Sequence, residues 1–463
     1  SLSSPQNQVK HPRSQLYGAL IYSVSTIFLF ADQNLMSPNL TMMAEEFGFD
    51  DEERDRKLGG YVALAFFTLG CPISFLVGYW ADKYPRIPIF ALIIVLGEGA
   101  CFFTYFTTTY EELLVTRALT GISVGGALPL IFSLLSDMFG SEKRNLVSAL
   151  VGGGMGFGIA FGQLLAGFVG PAHGWRLPFV IVSIPAFICA ALMVTTLKEP
   201  PRGCQESSMK ELSAEAASSS TGSTDFVERS EVVPTSTDEL VQDKPLTLET
   251  GPDVQYTPLL DSWSTFKLLF SNKTALLLFI QGIPGCLPWG LVAVFMSDYL
   301  SDDCGLSIEN ATVVVSMFGI GAFLGLLFGG GFGQYLYNRN KKHLVIFFAG
   351  FELIGCLPLF YLLNGVSETS SFSAACFLAI CAGFCASITG PNVRAVLQNV
   401  TLPEQRGSAF ALLNTTDDIG KGAGPFLISV FVTAFGDRKA AFNFVTLGWA
   451  VGSGINLLIY WTI

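Results

Sequence analysis

Nine ionisable residues, Asp32, Glu98, Arg117, Asp298, Glu352, Arg394, Asp417, Asp418 and Lys421, stand inside long apolar stretches of this sequence. An ionisable side chain in such a place is costly unless it meets a partner or water, so each marks a candidate ion or substrate pathway. A carboxylate offers a charge that a proton switches off, and a guanidinium offers a permanent fork for an anion. Asp32 lies late in its apolar stretch and is a candidate proton or substrate contact; its alternative is solvation at a helix end. Arg117 either binds an anionic group and tunes Asp32 or forms a structural ion pair. Asn414, Asp417, Asp418 and Lys421 recur at i, i+3, i+4 and i+7, which puts most of them on one helix face. On that face Asp417 and Lys421 either neutralise one another or present charge to a cavity. Gln281 and Trp289 belong to a stretch broken by Pro284 and Pro288, whose freed backbone groups line a cavity, bend as a gate, or only kink the helix. Arg394, just after Gly390-Pro391, reaches either a phosphate or the membrane surface. Glu98 and Glu352 read as structural groups or as pairs at a cavity edge.

Elements that hold such residues must cross a bilayer. Of the 463 residues 51% are hydrophobic and only 14% charged, with 40 Phe and 48 Gly. A bilayer core requires about 20 mostly apolar residues per helix. Runs of that kind occur near 15–38, 58–80, 87–107, 113–138, 145–169 and 176–197, then near 273–300, 308–335, 343–363, 370–397, 406–434 and 440–462. They do not alternate as barrel strands do. The reading is an all-α membrane protein with twelve transmembrane helices in two six-helix halves. Its parts are a tail at 1–14, a bundle at 15–198, an acidic linker at 199–262 and a second bundle at 263–463.

The first fifteen residues are polar and the first apolar run is long, so it is expected to stay as a membrane helix rather than be cleaved. Lys83 and Arg86, Lys143 and Arg144, and Arg339, Lys341 and Lys342 share one side, which the positive-inside rule makes cytoplasmic, with both termini. Residues 199–261 carry thirteen acidic against four basic residues, which supplies most of the net charge of −11 and argues against nucleic-acid binding. Rich in Ser and Thr and poor in aromatics, that segment reads as a disordered linker. Ten scattered cysteines and three histidines give no metal-ligand spacing, so no cofactor is expected. The expected surroundings are a lipid bilayer, a small-molecule or lipid substrate, and protons.

The halves repeat. An offset of 262 residues pairs Gly121 with Gly383, Pro129 with Pro391, Arg144 with Arg406, Gly158 with Gly420 and Gly162 with Gly424. A parallel six-plus-six repeat places substrate at the midplane between halves that rock against each other.

After the second apolar run comes Gly78-Tyr-Trp-Ala-Asp82-Lys83-Tyr-Pro-Arg86, and Arg117-Ala-Leu-Thr-Gly121, Asp137 and Arg144 follow. This set resembles the G-x-x-x-D-[RK]-x-x-R and R-x-x-x-G elements of the major facilitator superfamily. The resemblance implies the major facilitator fold and a cytoplasmic gate built on Gly78, Asp82, Lys83, Arg86, Asp137 and Arg144. The second half keeps Gly333 but has Tyr337 where Asp is usual, so an asymmetric latch is expected. Glu199-Pro-Pro-Arg-Gly203 and Thr120-Gly-Ile122 are similar to the spinster-like group, which implies proton-coupled movement of a lysophospholipid or sphingosine phosphate. The chain departs from that group at Asp32-Gln33, where Asp-Arg is usual, and at Ser123-Val124, where an acidic residue follows Gly-Ile-Gly.

These readings combine into an alternating-access transporter of an amphipathic or anionic organic solute, in a plasma or endolysosomal membrane. A carrier of a small sugar or organic acid needs a narrower polar cavity, and a non-transporting sensor or scaffold keeps the fold without the activity. No nucleophile, metal cluster or phosphate loop suggests an enzyme.

Overall fold

The computed structural model describes residues 12–139, 141–200, 262–367, 371–401 and 406–463. The expected tail, most of the linker, and the side chains of Asp82, Lys83 and Arg144 lie outside the described residues.

Among the described residues twelve long helices follow one another. They are α1 (Pro12–Ala31), α2 (Val62–Lys83), α3 (Arg86–Phe103), α4 (Tyr110–Met138), α5 (Ser141–His173) and α6 (Leu177–Thr196), then α7 (Lys273–Val294), α8 (Ile308–Arg339), α9 (Lys341–Gly365), α10 (Phe372–Ser387, continuing as Thr389–Val400), α11 (Arg406–Phe435) and α12 (Arg438–Leu458). Among the described residues, eleven spans are long and apolar enough to cross a membrane. In α11, which is 30 residues long, Asp417, Asp418 and Lys421 interrupt the apolar run. A charged central helix is tolerated where it lies among other helices rather than in lipid.

Helix starts carry side-chain caps. Thr109 and Glu112 form a reciprocal capping box at α4, and Asn272, Ser307, Asn340 and Asp437 accept backbone N–H groups at α7, α8, α9 and α12. Such caps are worth about 1 kcal/mol each. At the α11–α12 corner Gly436 takes φ 65°, a left-handed conformation suited to glycine. Asp437 then caps α12, so Arg438 becomes its first residue.

Lipid offers helices no hydrophobic drive to associate, so close backbone packing must hold them. The repeated glycines supply it. A Cβ on Gly158 or Gly162 of α5 would strike the Ile27 or Ala31 carbonyl of α1, and one on Gly420 or Gly424 of α11 would strike Ile283 or Leu287 of α7. Gly121 of α4 rests on the Phe66 carbonyl of α2, as Gly383 of α10 rests on that of Phe318 in α8. Residues paired by sequence offset thus do the same packing task in each half. Helices α3 and α9 are peripheral: Leu92, Val95 and Leu96, and Leu353, Ile354 and Leu357, are exposed on their outer faces. Their inner faces carry Glu98 and Glu352, both buried.

Candidate functional site

The chain has a basic end, holding Arg86, Arg339, Lys341 and Lys342, and an acidic end, holding Asp55, Asp302 and Asp303. Between them α11 meets α2 across the two halves, with Cys71 Sγ 3.9 Å from the Thr415 carbonyl. Asp418 and Lys421 sit here, close to Cys71 of α2 and to Cys286 of α7. They therefore lie on the line where the halves meet. Lys421 Nζ binds Asp418 Oδ1 at 3.0 Å, the two side chains being 36% and 20% exposed. Lys421 thus pairs with Asp418 and not with Asp417, which was one of the two alternatives the spacing left open. Asp417 instead turns toward α7, where its Oδ1 lies 2.7 Å from the place a Gly282 Cβ would take. Asn414 is half-buried one turn earlier on α11. Arg394 of α10 is exposed and near enough to act electrostatically on Asp417.

Gln281 and Trp289 do not join this group. Gln281 Oε1 accepts from Asn456 Nδ2 of α12 at 3.3 Å, and Asn456 also donates to Glu352 Oε2 at 2.8 Å. Trp289 packs edge-on to Phe318 and Trp449, 5.4 and 6.4 Å between ring centroids. Both residues make these contacts within the second half. Gly285 and Gly452 leave room for the Glu352 carboxylate between α7 and α12.

A second charged centre lies inside the first half. Asp32 closes α1 in a 3-10 turn, and Arg117 of α4 donates from Nη2 to its backbone carbonyl at 3.0 Å. The Arg117 guanidinium lies between the Phe66 and Phe179 rings, 5.6 and 5.2 Å from their centroids. The expected meeting of Arg117 with Asp32 is therefore seen, through the main chain. Glu98 reaches the same place from α3 and accepts from Ser123 Oγ at 3.3 Å. Gly97 admits this approach, because a Cβ there would collide with Ser123.

At the basic end, Arg86 begins α3 and is 1% exposed. It donates to Glu199 at 2.8 Å, to Asp137 at 2.5 Å and to the Pro200 carbonyl at 3.0 Å. Glu199 in return accepts the Arg86 and Ile87 backbone N–H groups, so it caps α3. The Glu199-Pro200 pair after α6 thereby ties α3, α4 and α6 into one corner. In the second half Lys341 lies over the Tyr337 ring at 5.7 Å, at the position where the family usually has a carboxylate.

The acidic end holds an ion network between the halves that the sequence reading did not assemble. A π-helical segment, Arg54–Tyr61, leads into α2 and turns Arg54 and Asp55 toward the second half. Arg54 binds Asp302 at 2.8 Å and Asp298 at 3.7 Å. Arg438 binds Asp298 at 2.5 Å, Asp303 at 2.6 Å and Asp55 at 3.1 Å. Thr41 donates to Asp298 at 2.6 Å and Thr433 to Glu52 at 3.0 Å. Below the network Gln163 of α5 donates to Ser297, and Phe295 occupies the space beside Gly59. The sequence held one signal for this clamp: Asp298 stands inside an apolar stretch and requires a basic partner.

The model of the Major Facilitator Superfamily matches residues 22–285 and 278–463. The hexuronate transporter of Bacillus subtilis is 25% identical over 421 residues, 90% of this chain and 89% of that protein. The 4-hydroxybenzoate transporter PcaK of Acinetobacter baylyi is 24% identical over 388 residues, covering 79% and 74%. Among solved structures, a bacterial homolog of the human lysosomal transporter Spinster, inward-facing and unoccupied, superposes with TM-score 0.71 at 17% identity over 98% of both chains. A D-xylose-proton symporter superposes with TM-score 0.67 at 15% identity over 97% of both. The two halves, the glycine-packed helix pairs and the matched sequence agree, and the chain belongs to the Major Facilitator Superfamily of multi-pass membrane transporters.

Proposed function

We propose that the chain carries an organic anion by alternating access, coupled to protons. The observation behind this is the Lys421–Asp418 pair, partly exposed where α11 meets α2 and flanked by Asp417 and Arg394. A substrate carboxylate or phosphate competes with Asp418 for the Lys421 ammonium. The hexuronate and hydroxybenzoate transporters among the relatives are named for carboxylate-bearing solutes, which supports an anion. The spinster-like sequence features extend the same headgroup chemistry to a lysophospholipid.

The clamp of Arg54 and Arg438 joins the halves at the acidic end. With the basic end assigned to the cytoplasm by the positive-inside rule, this is a conformation closed outward. Rocking the halves apart there breaks the clamp, while the Arg86 corner stays within the first half and moves with it.

The test is uptake into proteoliposomes of labelled glucuronate, 4-hydroxybenzoate, xylose and a lysophospholipid, with and without an imposed pH gradient. Lys421→Gln removes a charged hydrogen-bond partner, worth about 1.5–3 kcal/mol, and is expected to weaken anion uptake roughly 10- to 150-fold. Xylose as the sole solute moved would overturn the anion reading. Binding of a solute with no movement would replace it by the sensor reading.

A further inference from the structure

Asp32, Glu98 and Cys101 place one ligand atom each within 4.8 Å of the others. All three are fully buried, and Arg117 beside them is 2% exposed. Both oxygens of Asp32 and Oε2 of Glu98 have no hydrogen-bond donor among the described residues, although the two carboxyl groups lie within reach of each other. The titratable or charged groups facing them are Arg117 from α4 and Cys101 from α3; Ser123 of α4 already donates to Glu98.

Charge decides what completes this site. Two ionised carboxylates against one guanidinium leave one negative charge away from water, and an uncompensated buried charge costs several kcal/mol. One added positive charge removes that cost. A hard metal ion takes six or more oxygen ligands, whereas here the third group is a thiol whose Sγ lies 3.8 Å from the Phe179 carbonyl and donates to it. Arg117 also repels a cation. A proton suffers neither objection: placed on one carboxyl, it becomes the donor that the facing oxygens lack.

We infer that Asp32 and Glu98 hold a single proton between them, so that the proton-carrying group of this transporter is a pair drawn from α1 and α3. This rests on the proton-coupled reading for its role in transport, but not for its existence. Discharge of the shared proton leaves the pair with two negative charges against the single Arg117 guanidinium, so one negative charge in the buried site goes uncompensated. Arg117 is tied to the Asp32 main chain, so loss of the proton loads the contact between α1 and α4.

Infrared difference spectra of the purified full-length protein test it without any substrate. Wild type minus Glu98→Gln and wild type minus Asp32→Asn are expected to show loss of the same protonated-carboxyl carbonyl band, which shifts in heavy water. Ser123→Ala keeps both carboxyls and is expected to move that band without abolishing it, which covers the case in which the other variants fail to fold. Glu352→Gln is expected to leave it unchanged. The inference is overturned if Glu98→Gln leaves the carboxyl region untouched, if the two variants lose different bands, or if sodium or calcium chloride alone removes the band. Absence of proton-driven uptake with the shared band present would sink the coupling reading and leave the site standing.

Discussion

Replacing Arg438 by Gln is expected to open the acidic end. Arg438 is 9% exposed and holds Asp298 at 2.5 Å, Asp303 at 2.6 Å and Asp55 at 3.1 Å. Removing one partner of a buried ion pair costs about 3–5 kcal/mol. Two features lower that figure here. Asp303 is 36% exposed, so water screens it, and Arg54 remains 3.3 Å from Asp55 and 3.7 Å from Asp298. About 2–3 kcal/mol is then lost from the closed state alone, a shift of roughly 30- to 150-fold toward the open one. The assay is disulfide trapping between Glu52→Cys and Thr433→Cys, whose native side chains hydrogen-bond at 3.0 Å across the halves. Native cysteines are replaced, and the chain is cut between its halves after oxidation so that only cross-linked protein stays whole. Cross-linking is expected to fall by more than tenfold in rate with Arg438→Gln. An unchanged rate would refute the clamp as the element holding this end shut.

Three further outcomes follow from the packing. Glu199→Gln removes the charged cap of α3 and weakens the Arg86 pair, a loss of about 1–2 kcal/mol that lowers the melting temperature in detergent by roughly 2–4 °C. Gly424→Leu drives a side chain into the Leu287 carbonyl and is expected to abolish the monodisperse peak in size-exclusion chromatography, while Gly99→Leu, with open space around it, is expected to be neutral. Asp32→Asn is expected to abolish pH-gradient-driven uptake while leaving exchange of internal for external solute measurable.

Much of the architecture was legible because it rests on local patterns. Apolar run length gave the helices, and the offset of 262 found glycines that prove to be equivalent packing points, Gly158 with Gly420 and Gly162 with Gly424. An approach of Arg117 to Asp32 was one of the alternatives the sequence offered, and the structure brings Arg117 to the Asp32 main chain. What stayed hidden depends on which way a helix is turned. Glu98 sits on a helix with a lipid-facing outer surface, and only the small Gly97 shows that its inner face can press onto Ser123. Spacing along one helix allows Lys421 either neighbour, and a glycine on α7 selects Asp418 by drawing Asp417 aside. The clamp was beyond reach because Arg54 and Arg438 are far apart in sequence and no local rule joins them.

The π-helical segment Arg54–Tyr61 also bears on which length changes this chain tolerates. A π turn carries one more residue than an α turn. Deleting a single residue there, with the winding of the rest unchanged, turns everything before it by roughly a quarter turn relative to α2. Arg54 and Asp55 would then point to lipid or water, with every membrane helix intact. A shortening of the same size in the Phe49–Asp50 loop just upstream leaves their direction unchanged. Natural variation in length is thus expected to collect before residue 51 and to be absent from the next ten positions, a boundary set by rotation rather than by burial.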